Sequence, residues 1–347
     1  MANPNFKEFL LSGAKAKTLS QPIGITAIGV YMPEKNISNA EFNIDIPAEV
    51  NFDQAFGIFN RRVGEGETPG TMATKAALDA VQRFNVDPAT IDLVIATHAS
   101  KNTERLCPPI ASQVQTGIGA VNAGAFNVDC GYNGFLPSVF SAIAFIQAGI
   151  YNKVLVVAGE TLMDNVNFCD FKALTIGDGA GAVILEKVED GLGFQSFHHM
   201  SCEKEEAAGI KIKNGNPSYT ATQSSVKAYQ YVTPESLQRD VPFLQRFIPA
   251  SIVESLEVLN LDVNGVDHYI FGQQFAGLTM SWIHNLGIDG ARVFDTLKDY
   301  AAMKTASIPV NLFEAHKRGI LKKGDVIALG DQGANWYISS AILRWSI

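Results

Sequence analysis

The sequence has few cysteines, little positive charge and no long apolar stretch. Among 347 residues there are four cysteines, and none has the Cys-x-x-Cys spacing that is typical of zinc sites or redox motifs. With 27 lysines and arginines against 35 aspartates and glutamates, the net charge is −8. This balance argues against nucleic-acid binding, which needs a cluster of basic residues, and it provides no general attraction to membranes. We therefore expect no metal, no disulfide framework and no nucleic-acid partner.

No stretch approaches the roughly 20 consecutive apolar residues that span a bilayer. The N-terminal segment Met1–Ser20 is polar and contains three lysines, so it lacks the apolar core of a signal peptide. These absences indicate a protein of the reducing cytoplasm with no membrane partner. The length of 347 residues is too great for one small core and indicates two packed halves.

Short apolar strands alternate with helical patterns along the chain. The predicted strands of the first half are Ile23–Tyr31, Ile91–Ala96 and Lys153–Ala158, and its predicted helices are Met72–Phe84 and Pro109–Ile118. After a polar strand-and-loop segment from Ser196 to Tyr231, the second half continues with helices Phe243–Leu259 and Ser307–Arg318 and strands His268–Phe271, Val326–Leu329 and Trp336–Leu343. This alternation predicts right-handed βαβ units on a mostly parallel sheet.

The stretch Asn127–Phe135 is the part of the chain around which the rest is organised. A short apolar approach ends just before it, and apolar residues at helical spacing follow it. Cys130 is therefore predicted at the point where a strand ends and a helix begins. Free backbone N–H groups and the helix dipole would lower its thiol pKa there and make it a nucleophile. The alternative is a buried structural cysteine.

A glycine-rich run, Gly177–Leu185, follows the strand that ends near Glu160. Such a run alone is weak evidence, because phosphate-binding loops and tight strand crossings also use one. The three segments Asp129–Phe135, Leu155–Glu160 and Gly177–Leu185, in this order and at this spacing, together resemble the thiolase superfamily. They are most similar to 3-ketoacyl-ACP synthase III and, more distantly, to chalcone and stilbene synthases. The similarity extends from about Gly24 to Ile347.

The resemblance implies an α/β thiolase-like fold, with two duplicated βαβαβαββ halves in an αβαβα layered arrangement. We place the N-terminal half with the nucleophile at residues 1–187, and the linker insertion with the C-terminal half at residues 188–347. Family members pair through the strand that precedes the nucleophile. The resemblance therefore implies a homodimer, or a heterodimer with a thiolase-like partner.

Two family residues that hold the malonyl thioester carbonyl during decarboxylation are replaced. In the family a His follows a strand and an Asn precedes Ser-Ile-Pro. Matching without gaps places Gly272 at the His position and Ala302 at the Asn position. A shift by one residue would place Gln273 in the His position, and a Gln cannot transfer a proton near pH 7. For the acylation step, the resemblance implies an oxyanion hole formed by backbone N–H groups of Cys130 and of the loop that contains Gly333 and Ala334.

Three residues are candidates for the missing base. His98 follows the predicted strand at Ile91–Ala96, where hydroxymethylglutaryl-CoA synthases carry a catalytic Glu. Glu104 lies in the next loop, where another condensing family brings a Glu across the dimer. His268 is close in sequence to the lost His, although strand alternation directs it elsewhere. Each has a structural alternative, as a hydrogen-bonded strand-end residue, a solvated loop charge or a surface residue.

The residues that would bind the substrate carrier are partly absent. The carrier-binding Arg of the family falls at Gly277, and the adjacent basic pair falls at His284 and Asn285. Arg61 and Arg62 lie near the position that contacts the CoA nucleotide, although a solvated surface pair explains them equally well. Leu106 and Cys107 are the apolar tip of the loop that lines the neighbouring subunit's acyl tunnel in the family.

Two functions follow from this pattern. The first is an acyltransferase or non-decarboxylating condensing enzyme of fatty-acid or polyketide type. It would carry an acyl group on Cys130, use acyl-CoA or acyl-ACP as substrate and need no further cofactor. The second is a catalytically degenerate partner subunit in a heteromeric ketosynthase III-like complex. An intact Cys130 favours the enzyme, because a pure scaffold gains nothing from a reactive thiol.

Overall fold

The computed structural model describes residues 15–42, 51–100, 108–166, 171–201, 209–212, 228–231, 234–333 and 337–347. Its strands are β1 (Lys17–Thr18), β2 (Ile23–Tyr31), β3 (Asn36–Ser38), β4 (Asn60–Arg62), β5 (Leu93–Thr97), β6 (Gly124–Asn127), β7 (Val154–Glu160), β8 (Gly179–Lys187), β9 (Gly193–Met200), β10 (Gly209–Ile212), β11 (Ala228–Tyr231), β12 (His268–Phe271), β13 (Val326–Gln332) and β14 (Ile338–Arg344). Its α-helices are α1 (Phe52–Phe56), α2 (Pro69–Arg83), α3 (Ile110–Ile118), α4 (Phe135–Gln147), α5 (Pro234–Glu257), α6 (Ala276–Leu286), α7 (Leu297–Tyr300) and α8 (Ser307–Lys317).

Two five-stranded sheets form the frame of the molecule. The first has the order β2-β8-β7-β5-β6, and the second has the order β1-β9-β14-β13-β12. The last strand of the first sheet, β8, ends at Lys187, and β9 of the second sheet begins at Gly193. The short strand β1 is the exception, because it precedes the first sheet in the sequence but belongs to the second sheet. The predicted division at residue 187 falls in this connection and stays a prediction.

The sheets are mixed, and the predicted mostly parallel arrangement is wrong. In the first sheet β7–β5 and β5–β6 are parallel, whereas β2–β8 and β8–β7 are antiparallel. The second sheet repeats this order, with β12–β13 parallel and β13–β14 and β14–β9 antiparallel. Helical patterns between strands predicted parallel crossovers. The last strand of each half, β8 or β14, instead pairs antiparallel with the strand before it, β7 or β13. The repeated pairing nevertheless reveals the duplication that residue identity does not.

Helices α4 and α8 pack between the two sheets. Nine residues of each helix are buried, and the main apolar cluster joins side chains of both helices to strands of both sheets. A helix that is buried nearly all round needs apolar residues on every face, and both sequences supply them. Helices α2 and α3 cover the outer face of the first sheet, and α5 and α6 cover that of the second. The result is the predicted five-layer αβαβα arrangement.

The local sequence explains where the elements begin and end. In α2, Thr68 is the N-cap and accepts a hydrogen bond from the backbone N–H of Thr71, and Pro69 occupies the first turn. Helix α3 ends at Gly119 in the left-handed conformation, with φ of 79°. Across the described residues, no helix is both long and apolar enough to span a membrane.

The glycine-rich run allows α8 and the segment before it to pack closely on β8. A Cβ added to Gly181 would lie 2.8 Å from Cβ of Pro309, and one added to Gly177 would lie 2.4 Å from the carbonyl oxygen of Tyr300. Between these glycines the Asp178 carboxylate accepts hydrogen bonds from the N–H groups of Gly64 and Met163, both at 2.9 Å. Burial raises the pKa of Asp178 to about 7. The run therefore joins the two halves of the fold.

We expect Gly181→Ala to destabilise the protein by about 1–3 kcal/mol, because the new methyl group would push α8 away from β8. Urea unfolding measures this change. Gly290→Ala is the matched control, since the nearest atom to its added Cβ is the Ile283 Cδ1 atom at 3.7 Å, and its stability should stay within about 0.5 kcal/mol of the parent protein. Equal stability of the two variants would contradict the close contact.

Candidate active site

The candidate site lies where the carboxyl ends of strands from both sheets meet. The parallel strands β5, β6 and β7 end at Thr97, Asn127 and Glu160, and β12 and β13 end at Phe271 and Gln332. The carboxyl ends of parallel strands lie at one edge of a sheet, which is where ligands bind in open α/β folds.

Cys130 lies in the loop between β6 and α4 and is partly exposed. Its carbonyl oxygen accepts a hydrogen bond from the N–H of Asn133 at 3.2 Å, which closes a tight turn. Gly131 adopts a left-handed φ of 59° and donates to the Asp129 carboxylate at 3.0 Å. This turn presents Cys130 beside the strand ends described above.

The predicted activation of Cys130 by a helix N-terminus is not seen. Helix α4 begins at Phe135 with Gly134 as its N-cap, five residues after Cys130, and the dipole effect is confined to the first turn. Burial raises the pKa of the Cys130 thiol, and the neighbouring Asp129 carboxylate raises it further. The thiol is therefore mostly protonated at neutral pH.

The loop after β13 packs directly against the Cys130 turn. A Cβ added to Gly333 would lie 2.9 Å from the backbone nitrogen of Asn133 and 3.1 Å from the carbonyl oxygen of Cys130. The N–H of Gly333, however, donates to the carbonyl oxygen of Tyr337 at 2.7 Å. Because that donor is already engaged, Gly333 does not supply the predicted oxyanion N–H. Ala334 lies outside the described residues.

The space beside Gly272 is filled by the side chain of Asp331. A Cβ added to Gly272 would lie only 1.8 Å from the Asp331 Oδ1 atom. The same Oδ1 accepts a hydrogen bond from the N–H of Gln332 at 2.8 Å, and in the amide orientation that satisfies both ends, Asn133 donates to Oδ2 at 3.2 Å. No side chain fits at Gly272 while Asp331 keeps this position. The Asp331 carboxylate therefore occupies the space that a side chain at position 272 would need.

Gln273 and Ala302, at or beside the positions that the sequence analysis assigns to the decarboxylation residues, are both buried. In the orientation that satisfies both ends of its amide, buried Gln273 accepts from the N–H groups of Leu297 and Thr296 and donates to the carbonyl oxygen of Ala301. It therefore anchors the segment around α7. Ala302 is buried and contributes only a methyl group.

A buried lysine, which the sequence analysis did not single out, stands at the centre of the site. Lys304 is 8% exposed, and its Nζ donates to the Gln274 Oε1 atom at 2.7 Å. The ammonium lies 5.1 Å from the centre of the Tyr132 ring, two residues after Cys130. Burial lowers the pKa of Lys304 to about 8, although Glu160 and Asp331 oppose the change. The signal in the sequence was a lysine within the small and apolar run Ala301–Pro309.

Glu160 ties the first sheet to the segment that carries Lys304. Its carboxylate accepts hydrogen bonds from the N–H of Ala99 at 2.9 Å and of Ser100 at 2.8 Å, and from the hydroxyl of Thr305. The carboxylate is buried and accepts hydrogen bonds from both sides of the junction, so its position near Lys304 is fixed. Burial, followed by the charge of Glu160, raises the pKa of Tyr132 to about 12.

The three candidate bases differ in position. His98 follows β5, and its Nδ1 lies 2.7 Å from the carbonyl oxygen of Ser100, so Nδ1 carries the proton and Nε2 can accept one. His268 begins β12, at the end of the strand opposite the site, and its Nε2 lies 3.3 Å from the Asp325 carboxylate. This position excludes His268. Glu104 lies outside the described residues.

The substrate-binding residues are also only partly described. Arg61 is fully buried and donates to Asn39 and to the carbonyl oxygen of Leu174, so the predicted contact with a CoA nucleotide is wrong for this residue. Arg62 is half-buried and donates to the carbonyl oxygen of Glu34 at 3.0 Å, and it stays a prediction. Leu106 and Cys107 lie outside the described residues.

Two paired α/β halves that enclose buried helices, with a cysteine loop at their junction, define a thiolase-like protein. Two models of 3-oxoacyl-[acyl-carrier-protein] synthase III match the chain, one over residues 126–202 and its C-terminal counterpart over residues 256–345. The chain is 31% identical over 328 residues to beta-ketoacyl-[acyl-carrier-protein] synthase III of Clostridioides difficile, and the alignment covers 93% of this chain and 98% of that relative. A synthase III of Desulfitobacterium hafniense is 30% identical over 93% of this chain and 98% of its own length.

The structure of 3-oxoacyl-[acyl-carrier-protein] synthase III from Aquifex aeolicus superposes with a TM-score of 0.82 at 26% identity, covering 93% of this chain and 100% of that one. The chain belongs to the 3-oxoacyl-[acyl-carrier-protein] synthase III family and is an enzyme of the acyl-thioester condensing type. The predicted fold and family are therefore confirmed.

Proposed function

We propose that this enzyme takes an acyl group from acyl-CoA or acyl-ACP without decarboxylating a malonyl partner. The observation that carries the proposal is the Asp331 side chain in the space beside Gly272, where the resemblance places the family histidine. Ala302 offers no hydrogen-bond donor at the second position. Since the donors for a malonyl-derived enolate are replaced, the second substrate brings its own nucleophile or an already activated carbon.

In this proposal Cys130 carries the acyl group. Its thiolate attacks the thioester carbonyl, the bond between the acyl carbon and the carrier sulfur breaks, and the carrier leaves as a thiol after taking a proton. His98, with a free Nε2 acceptor, is the candidate that removes the thiol proton. The acyl group then passes to the acceptor and Cys130 is regenerated.

Incubation with a panel of acyl-CoA thioesters should add one acyl mass to the native chain, and Cys130→Ala should abolish this addition. Because the thiol pKa is raised, labelling should accelerate with pH, by about tenfold per unit below that pKa. Intact mass spectrometry at several pH values, followed by peptide mapping, measures both effects. Label on Cys107, Cys169 or Cys202 in the native chain would show that the assignment of Cys130 is wrong.

A second candidate function is that of a catalytically degenerate partner subunit, and the weak activation of the Cys130 thiol favours it. Its thiol lacks a helix N-terminus and has a raised pKa, which suits a chain that has lost its own chemistry. Absence of any acyl label on the native chain in the experiment above would favour this function over the enzyme.

We also propose that the chain pairs with a thiolase-like subunit, identical or different, through β6. This strand lies at the edge of the first sheet, where its outer backbone groups are free to pair with another strand. Val121, three residues before β6, is 76% exposed and would be covered by such a partner.

A further inference from the structure

Lys304 is a buried cation whose hydrogen-bonding capacity is mostly unused. An ammonium group has three N–H donors, and within the described part of the chain only the one directed at Gln274 finds an acceptor. Neither Glu160 nor Asp331 forms an ion pair with it within 4.0 Å, although both lie close enough to influence its pKa. A buried charge with so few partners is costly unless a ligand or water completes its shell.

The backbone that holds Lys304 is constrained. Lys304 itself has a φ of 48°, and Ala301 has a φ of 56° with a ψ of −165°, a combination that is nearly restricted to glycine. Two residues with positive φ within four positions thus precede α8, and the Lys304 ammonium lies beside the Tyr132 ring. Strain of this kind persists where the surrounding structure holds it, and it is concentrated at functional sites.

Further polar atoms around the Cys130 loop lack a partner. The Thr97 hydroxyl, at the end of β5, and the Gln332 Oε1 atom, at the end of β13, are both buried and form no hydrogen bond with the residues that the structure describes. The Thr97 hydroxyl faces the start of α4, since a Cβ added to Gly134 would lie 1.8 Å from it. Unsatisfied donors and acceptors from both halves therefore surround the same junction.

We propose that the free N–H groups of Lys304 bind the carbonyl oxygen of the acyl thioester. Lys304 lies two residues after Ala302 on the same segment, so a donor is restored near the position where the family amide is lost. An ammonium is a compact donor that suits a single oxygen atom, and the fixed carboxylate of Glu160 keeps it charged. This inference rests on the proposed function, because it assumes that an acyl thioester is the ligand.

Two probes that differ only in the carbonyl test the inference. Hexanoyl-pantetheine carries the thioester oxygen, and the S-hexyl thioether of pantetheine lacks it. Calorimetric titration of the Cys130→Ala chain, which cannot take up the acyl group, should show tighter binding of the thioester. In this background Lys304→Met should weaken thioester binding by about 10- to 100-fold, as expected for a hydrogen bond to a charged group, and change thioether binding by less than about twofold.

Lys75→Met on α2 is the matched control, since Lys75 is an exposed lysine that pairs with Glu67, and its replacement should leave both affinities unchanged. If Lys304→Met fails to fold, the same titrations are made with the double variant Lys304→Met with Asp331→Asn. This variant removes the lysine ammonium and the nearby carboxylate together. An equal loss of both ligands would overturn the role of Lys304 and identify a structural cation. Failure of the Cys130→Ala chain to bind either probe would instead overturn the proposed function.

Discussion

Malonyl-CoA and malonyl-ACP are expected to remain intact in the presence of the purified chain, with no carbon dioxide release above the background rate. Loss of one oxyanion donor typically lowers a rate by about 10²- to 10³-fold, and in the proposed function two are replaced. Gly272 has no side chain and Asp331 fills the adjoining space, while Ala302 supplies a methyl group. The expected loss relative to a decarboxylating family member is therefore at least about 10⁴-fold.

Release of labelled carbon dioxide from carboxyl-labelled malonyl-CoA measures this directly. A reaction without protein provides the background, because Cys130→Ala would leave any residues that stabilise the enolate in place. Decarboxylation by the native chain well above this background would contradict the prediction. It would also make His98 or Glu104 the first residues to replace, since both are candidates for the missing base.

Gly272→Ala is expected to be strongly destabilising, by about 2 kcal/mol or more, although it adds one methyl group. That methyl would lie 1.8 Å from the Asp331 Oδ1 atom, so the buried carboxylate would have to leave its hydrogen bonds with Gln332 and Asn133. The cost therefore combines overpacking with unsatisfied buried polar groups. Gly265→Ala, whose added Cβ would be 3.6 Å from the Leu261 side chain, is the control and should change stability little.

A double-mutant cycle shows whether the cost of Gly272→Ala comes from the contact with Asp331 or from a general intolerance of any side chain at position 272. Asp331→Ala alone is expected to cost about 1–3 kcal/mol, because it leaves the Gln332 N–H and the Asn133 amide without an acceptor. In the Asp331→Ala background, Gly272→Ala should add little further cost, which gives a coupling energy of about 2 kcal/mol. Additive effects in urea unfolding would show that the two positions are independent and that the proposed paired replacement is wrong.

The sequence predicted most elements of the fold, because each has a local cause. The strands at Ile23–Tyr31 and His268–Phe271 agree with the predicted bounds, and the start of α8 at Ser307 does as well. Hydrophobic periodicity and glycine C-caps act within a few residues, so they can be read directly. The prediction of a mostly parallel sheet was wrong. Whether two strands pair parallel or antiparallel depends on the path of the chain between them, and no local sequence pattern specifies that path.

The candidate site was predicted only in part. Family motifs pointed to Cys130, and the structure places its loop against the loop after β13. The two replaced decarboxylation residues stay a prediction. Motifs could not show that helix α4 starts five residues after Cys130, nor that Arg61 is fully buried. Both features depend on tertiary packing, which raises the pKa of the Cys130 thiol and removes the Arg61 guanidinium from solvent.

The sequence by itself determined the family, the layered fold and the absence of a histidine and an asparagine. Only the tertiary structure decided what replaces them. Lys304 and Asp331 are separated by 27 residues in the chain, and Lys304 precedes α8 whereas Asp331 lies in β13, so no spacing rule connects them. Asp331 influences the pKa of Lys304, and Lys304 lies beside Tyr132, because two sheets and their central helices close on one junction. The low dielectric at this junction strengthens the electrostatic interactions of Lys304 with Glu160 and Asp331.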